Sequence, residues 1–143
     1  MKNNGFGIAG ACLGALAVVL GAMGAHALKK VLNPEELASF ETGVKFLMYG
    51  SIQLLVIFLF EHTSSTKFNS KYFHTAGNLV LLGTSLFSFS IFILSTRYIT
   101  GLGDGLVKII GPVTPIGGLL IIAGWVFLGM SFVKRSEKNI NND

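Results

Sequence analysis

"GFGIAGACLGALAVVLGAMGAHALKK", residues 5–30, decides the fold. It carries no charge before Lys29, and Gly7, Gly10, Gly14, Gly21 and Gly24 recur in it with Ala17 filling the remaining slot. Steps of three and four residues put all six on one side of an α-helix. Acyl tails are as apolar as leucine, so helices in lipid associate by close approach, which small side chains permit. About 20 helical residues cross the ~30 Å hydrocarbon core. The stretch therefore predicts a membrane-spanning first helix whose small-residue seam makes it the packing centre of a bundle. Lys2, the apolar run and "AHA" at 25–27 also resemble a signal peptide cut after Ala27. The run is long enough to span, and its glycine pattern is one that a signal peptide does not need, so retention is the reading.

Outward from that helix, uncharged runs cover residues 6–28, 46–60, 76–94 and 109–133. Charged residues are 13% of the chain, against roughly 25% in a soluble domain. Hydrophobic residues reach 51% and the mean hydropathy is +0.65. Lys45 can snorkel and Glu61 can sit at an interface, which makes the short second run a span. The expectation is an all-α, integral membrane four-helix bundle, one domain over 1–143, with spans at about 6–28, 44–62, 76–95 and 115–133.

The connections have their own signals. Asn33, Pro34 and Glu36 form a capping box with proline in the first helical position. Leu37, Phe40, Val44 and Leu47 follow at helical spacing. An interfacial helix is expected to start over 34–43 and to lead towards span two. Span three carries Gly77, Thr84, Ser88 and Ser95 on one side, and span four carries Gly117, Gly124 and Ser131. The glycine- and proline-rich connection between them reads as a loop with a short interfacial helix around 106–110.

Several function classes drop out. The net charge is +4, but the bases lie in loops and tails with no aromatic-interleaved stripe, so the partners are membrane lipids and not nucleic acid. Cys12 is alone, which excludes disulfides within the chain and cysteine-rich metal sites; it reads as a small packing residue. No carboxylate lies inside a span to relay protons. His62 and His74 sit at the opposite end from His26, against a buried bis-histidine haem. "GLGDG" at 101–105 opens no βαβ unit. No catalytic residue, metal or cofactor is expected.

Four spans put both termini on one side, the near side. Lys2, Lys67, Lys71, Lys134, Arg135 and Lys138 lie there, against Lys29, Lys30, Lys45, Arg97 and Lys108 on the far side. That balance gives the positive-inside rule little purchase, and the tail cluster beside span four tilts the termini inward. Tracing each span to its far end gathers His26, Tyr49, Gln53, Ser88 and Thr114 in the far leaflet. Polar side chains in a membrane are costly unless paired, so this is the candidate binding site. The same residues also serve as interhelical struts in the plainer reading.

"GAMGAHALKK", "FETGVKFLMYGS", "LFSFSIF" and "VTPIGGLLIIAGW" resemble the small four-span family known as domain of unknown function 423, or uncharacterised protein family 0382. The resemblance covers roughly residues 6–133. It implies a bacterial multi-pass cell-membrane protein, related to small mitochondrial membrane proteins, without an established activity. His26, Lys29, Thr42, Gly43, Tyr49, Ser88, Thr114, Pro115 and Gly117 match its motifs. Gly50 stands where the family commonly has histidine, which argues against histidine-pair chemistry here, and Phe89 stands where the family has glycine. The leading expectation is a non-enzymatic membrane protein with a structural, regulatory or partner-binding role, as a homo-oligomer or with another membrane protein. The alternative is a small-molecule or lipid carrier with a far-leaflet pocket around His26 that opens beside Gln53.

Overall fold

The structure is a computed structural model that describes residues 4–63 and 69–133. Six α-helices follow one another: α1 Gly5–His26, α2 Pro34–Thr63, α3 Ser70–Ser95, α4 Arg97–Thr100, α5 Asp104–Ile110 and α6 Val113–Ser131. A 3-10 turn, Leu28–Lys30, joins α1 to α2. Four helices are long and apolar enough to cross a membrane, which makes this the all-α membrane bundle that the sequence indicates. Lys2, Lys67, Lys134, Arg135 and Lys138, most of the near-side positive set, lie outside the described residues.

Local chemistry sets the ends. The Glu36 N–H donates to Asn33 Oδ1 at 2.9 Å and the Asn33 N–H donates to Glu36 Oε2 at 3.0 Å, the reciprocal bonds of a capping box. From there α2 runs unbroken through Gly43 to Thr63, so the interfacial helix and span two are one rod of 30 residues. At 1.5 Å per residue that is about 45 Å, the thickness of a bilayer with its headgroups. Asn69 caps α3 through the Tyr72 N–H, while its own N–H donates to Ser131 O at 2.9 Å. One side chain and one amide thus close the start of α3 and the end of α6. α6 begins before Pro115, whose missing N–H falls in the first turn, where no intrahelical bond is lost. Gly101, with φ +67°, makes the left-handed turn after α4.

Successive spans are antiparallel neighbours in the order α1, α2, α3, α6, and among the described residues α1 and α6 do not pack together. The glycine seam of α1 faces α2: Gly7 meets the Phe58 ring, Gly10 meets Leu55 and the Ser51 carbonyl, Gly14 meets the Ser51 hydroxyl, and Gly24 meets Phe40. Phe6 also reaches over Gly77 of α3. Two apolar cores result. Phe6, Leu54, Ile57, Phe73 and Val80 fill the near half; Ala17, Leu32, Phe40, Leu47 and Phe92 fill the far half.

Two expectations need correcting. α1 is an outer helix and not the packing centre, which belongs to α2 and α3. Its glycines receive mostly side chains, because α2 offers phenylalanine and leucine to them. Backbone-to-backbone contact occurs between α3 and α6, where both surfaces are small: a Cβ on Gly117 would lie 2.5 Å from the Phe87 nitrogen and 2.9 Å from the Gly83 carbonyl oxygen. Cys12 is exposed on the lipid side of α1, and so is not a packing residue.

These contacts rank the glycines. Gly117→Ala must push α6 off rigid backbone and is expected to lose about 1–3 kcal/mol, as overpacked interiors do. At Gly21 the Cβ would stand 3.4 Å from Val44 Cγ1, a contact that a small shift absorbs. Gly21→Ala should be neutral or stabilising by up to ~1 kcal/mol through helix propensity. Thermal unfolding of both variants in one detergent checks the order.

Candidate functional site

The helix register fixes the depth of each polar residue. Gly14 lies against Ser51, Gly50 against Thr84, and Gly83 against Gly117 and Ile121. These contacts form one level near the middle of all four spans. Ser51, Thr84, Ser88 and Gln53 are all buried there or within a turn of it. Gln53 lies on the near side of that level, and only Ser88 lies towards the far side. Ser51, Gln53, Thr84 and Ser88 therefore form a belt across the bundle middle, whereas Ser90, Ser95 and Thr114 lie in the far half, so that of the expected far-leaflet set Gln53 is the residue displaced. The reason is the length of α2: its first turns stand beyond the bilayer core, which lowers Gln53 towards the centre.

The expected residues separate accordingly. His26 ends α1 and is exposed. Tyr49 is 60% exposed and points away from the helix contacts, beside the Phe46 ring at 5.9 Å. Thr114 shares a hydrogen bond of 2.8 Å with Ser90, joining α6 to α3. Gln53 and Ser88 are inside, and Gln53 Nε2, Ser88 Oγ and Thr84 Oγ1 have no hydrogen-bond partner. Each such orphan is costly in an apolar medium, so the belt concentrates unmet hydrogen-bonding capacity between α2 and α3. Gly50, where the family resemblance sets a histidine, has Thr84 so close that no Cβ fits.

Ser51 escaped the reading of the sequence. Its hydroxyl donates to the Gly10 carbonyl at 2.7 Å, across the α1–α2 contact. Gly14, one turn along α1, leaves room for that hydroxyl, since a Cβ there would sit 2.6 Å from it. The available signal was the pairing of a mid-span "GS" at 50–51 with glycines four apart on the preceding helix.

At the near end, His74 Nε2 lies 3.6 Å from Glu61 Oε1, and that carboxylate side chain is only 13% exposed. His62 Nδ1 is 2.9 Å from the Phe58 carbonyl, and its ring packs on Phe58 at 4.2 Å. The two histidines thus meet different partners. Among the described residues no three of His, Cys, Asp and Glu converge as metal ligands do.

At the far end a cavity of about 290 Å³ opens between the first turns of α2 and the end of α3. Glu35, Glu36 and Ser39 line one wall, and Arg97 and Tyr98 the other, above Ile91 and Leu94. None of the five residues expected to bind a ligand lines it. Arg97 was legible only as a charge beyond span three, because the continuity of α2 and the turn into α4 bring these walls together.

The family profile described as "Protein of unknown function (DUF423)" matches residues 20–118. A UPF0382 membrane protein of Staphylococcus haemolyticus is 37% identical over 129 residues, covering 90% of this chain and 95% of that protein. The Bacillus subtilis UPF0382 membrane protein YwdK is 37% identical over 130 residues, covering 90% and 96%. The UPF0382 inner membrane protein YgdD of Escherichia coli K12 is 26% identical over 130 residues, covering 91% and 90%. No solved structure matches.

The Ser51 contact yields a coupling test. Gly14→Ala should destabilise the α1–α2 pair by driving a methyl into the Ser51 hydroxyl. Ser51→Ala alone should lose roughly 0.6–2 kcal/mol, as interhelical hydrogen bonds in membranes do. In the double variant the nearest remaining contact is Ser51 Cβ at 3.7 Å, so much of the Gly14→Ala penalty should vanish. A double-mutant cycle on unfolding in detergent measures it; strict additivity would contradict the contact.

Proposed function

The chain belongs to the DUF423, or UPF0382, family of membrane proteins, and from that footing we propose a non-enzymatic scaffold of the cell membrane that works by binding another membrane component. One observation carries the reading: two polar contacts in the bundle interior bridge neighbouring helices, and none of Gln53, Thr84 and Ser88, the interior side chains without a hydrogen-bond partner, lines the far-end cavity. Ser51 ties α2 to α1, and Ser90 with Thr114 ties α3 to α6. A carrier needs polar groups that face a route which opens and closes, and bonds of this kind hold the helices together instead.

The outer flanks favour contact with other membrane components. α1 presents Ile8, Val18 and Val19 outward, and α6 presents Leu119, Ile122 and Trp125. Either flank offers a long apolar face to a second copy or to another membrane protein. Native mass spectrometry of the full chain, released directly from membrane vesicles, tests this. A fixed stoichiometry with itself or with one other protein is expected. A bare monomer, coupled with solute flux in proteoliposomes that Gln53→Leu abolishes, would replace the scaffold with a carrier.

A further inference from the structure

We infer that the far-end cavity is a binding site for the phosphoethanolamine group, the zwitterionic headgroup of an aminophospholipid. This goes beyond the scaffold reading and does not depend on it. The cavity holds groups of both signs: the Glu35 and Glu36 carboxylates on the α2 wall and the Arg97 guanidinium at the start of α4. Among the described residues, neither carboxylate is within ion-pair distance of Arg97. Opposite charges that border one space without neutralising each other suit a ligand that carries both. Its volume of about 290 Å³ is near the lower bound of small-molecule sites, roughly 300–1,000 Å³.

The chemistry of each wall fixes the orientation. Arg97 presents a planar fork of donors, which matches phosphate oxygens. It is already steadied: Nη2 donates to the Tyr98 hydroxyl at 2.7 Å, and the guanidinium carbon lies 4.5 Å from the Tyr98 ring centre. The phosphate therefore sits at Arg97. The amine then falls towards Glu35 and the free oxygen of Glu36, whose Oε2 is held by the capping box. A primary ammonium has three N–H donors for such acceptors. A trimethylated amine has none and is held by a cage of several aromatic faces, whereas among the described residues Tyr98 is the one aromatic lining this cavity and Arg97 covers one of its faces. Ile91 and Leu94 form the apolar floor where α3 descends into the core, the direction in which a lipid's glycerol and acyl chains would lie.

The position agrees. α3 ends at Ser95 while α2 projects further by its first turns, since Gly43 lies level with Phe92. The cavity thus opens at headgroup depth, beside the surface helices α4 and α5.

Full-length protein in detergent with equal amounts of phosphatidylethanolamine, phosphatidylcholine and phosphatidylglycerol, read by native mass spectrometry, is the test. Phosphatidylethanolamine should be retained in preference to both others. Arg97→Gln should weaken that retention by about tenfold or more, the scale of a lost charge-assisted bond. Glu35→Gln with Glu36→Gln should erase the preference over phosphatidylglycerol, and glutamine at 36 keeps the capping box. Ser39→Trp, on the exposed face of α2, should block the cavity without touching its charges. Lys108→Gln, a base on α5 that does not line the cavity, should change nothing. A melting curve for each variant separates lost binding from lost fold. Soluble O-phosphoethanolamine distinguishes the source: if it displaces the lipid at equal concentration, the same group is taken from a free metabolite. Equal retention of the three lipids, or retention indifferent to both Arg97→Gln and Ser39→Trp, would overturn the assignment.

Discussion

Helices in a lipid interior gain nothing by hiding apolar surface from an apolar solvent, so this protein is held together by how closely its backbones and side chains approach. Everything else follows from where a Cβ is missing. Between α3 and α6, Gly83 and Gly117 let the two main chains touch, and Gly124 admits Val80. Between α2 and α3, Gly50 admits Thr84 and Gly43 admits the Phe92 ring. Between α1 and α2, glycines on one side take side chains from the other. The three interfaces use one device with different partners, which is why dispersion contacts suffice along the whole row.

The same close approach sets the terms for polar groups. Ser51 reaches the Gly10 carbonyl because Gly14 stands aside, and Ser90 reaches Thr114 beside the tight contact of α3 with α6. Thr84, Ser88 and Gln53 are enclosed by equally tight packing without such a partner. The bundle middle therefore holds both satisfied and unsatisfied hydroxyls at the same depth. The polar chemistry with room for a ligand lies at the far end, where α2 outruns α3.

Much of the fold was legible because its signals are local or periodic. The capping box at Asn33 and Glu36, the four apolar runs, the short helix near 106–110 and the glycine seam of α1 each depend on residues close in sequence. The role of that seam was not legible. Spacing tells which residues share a face, but not whether the facing helix answers with glycine or with Phe58, and that difference moved the tightest packing to α3 and α6. Depth was misjudged for a similar reason. Counting from the uncharged run at 46–60 sets Gln53 in the far leaflet, whereas α2 starts twelve residues before that run and the antiparallel register centres Gln53. The Glu35–Arg97 cavity joins residues from α2, α3 and α4, and no single stretch of sequence contains it.

The row order also bears on how the chain is made. Each span packs against the one synthesised just before it: α2 on α1, α3 on α2, α6 on α3. A helix leaving the ribosome finds its main neighbour already in the bilayer, with no partner that must wait for the last segment to arrive. Assembly can then proceed hairpin by hairpin as the chain emerges, and most contacts form between consecutive segments, the arrangement that favours fast folding.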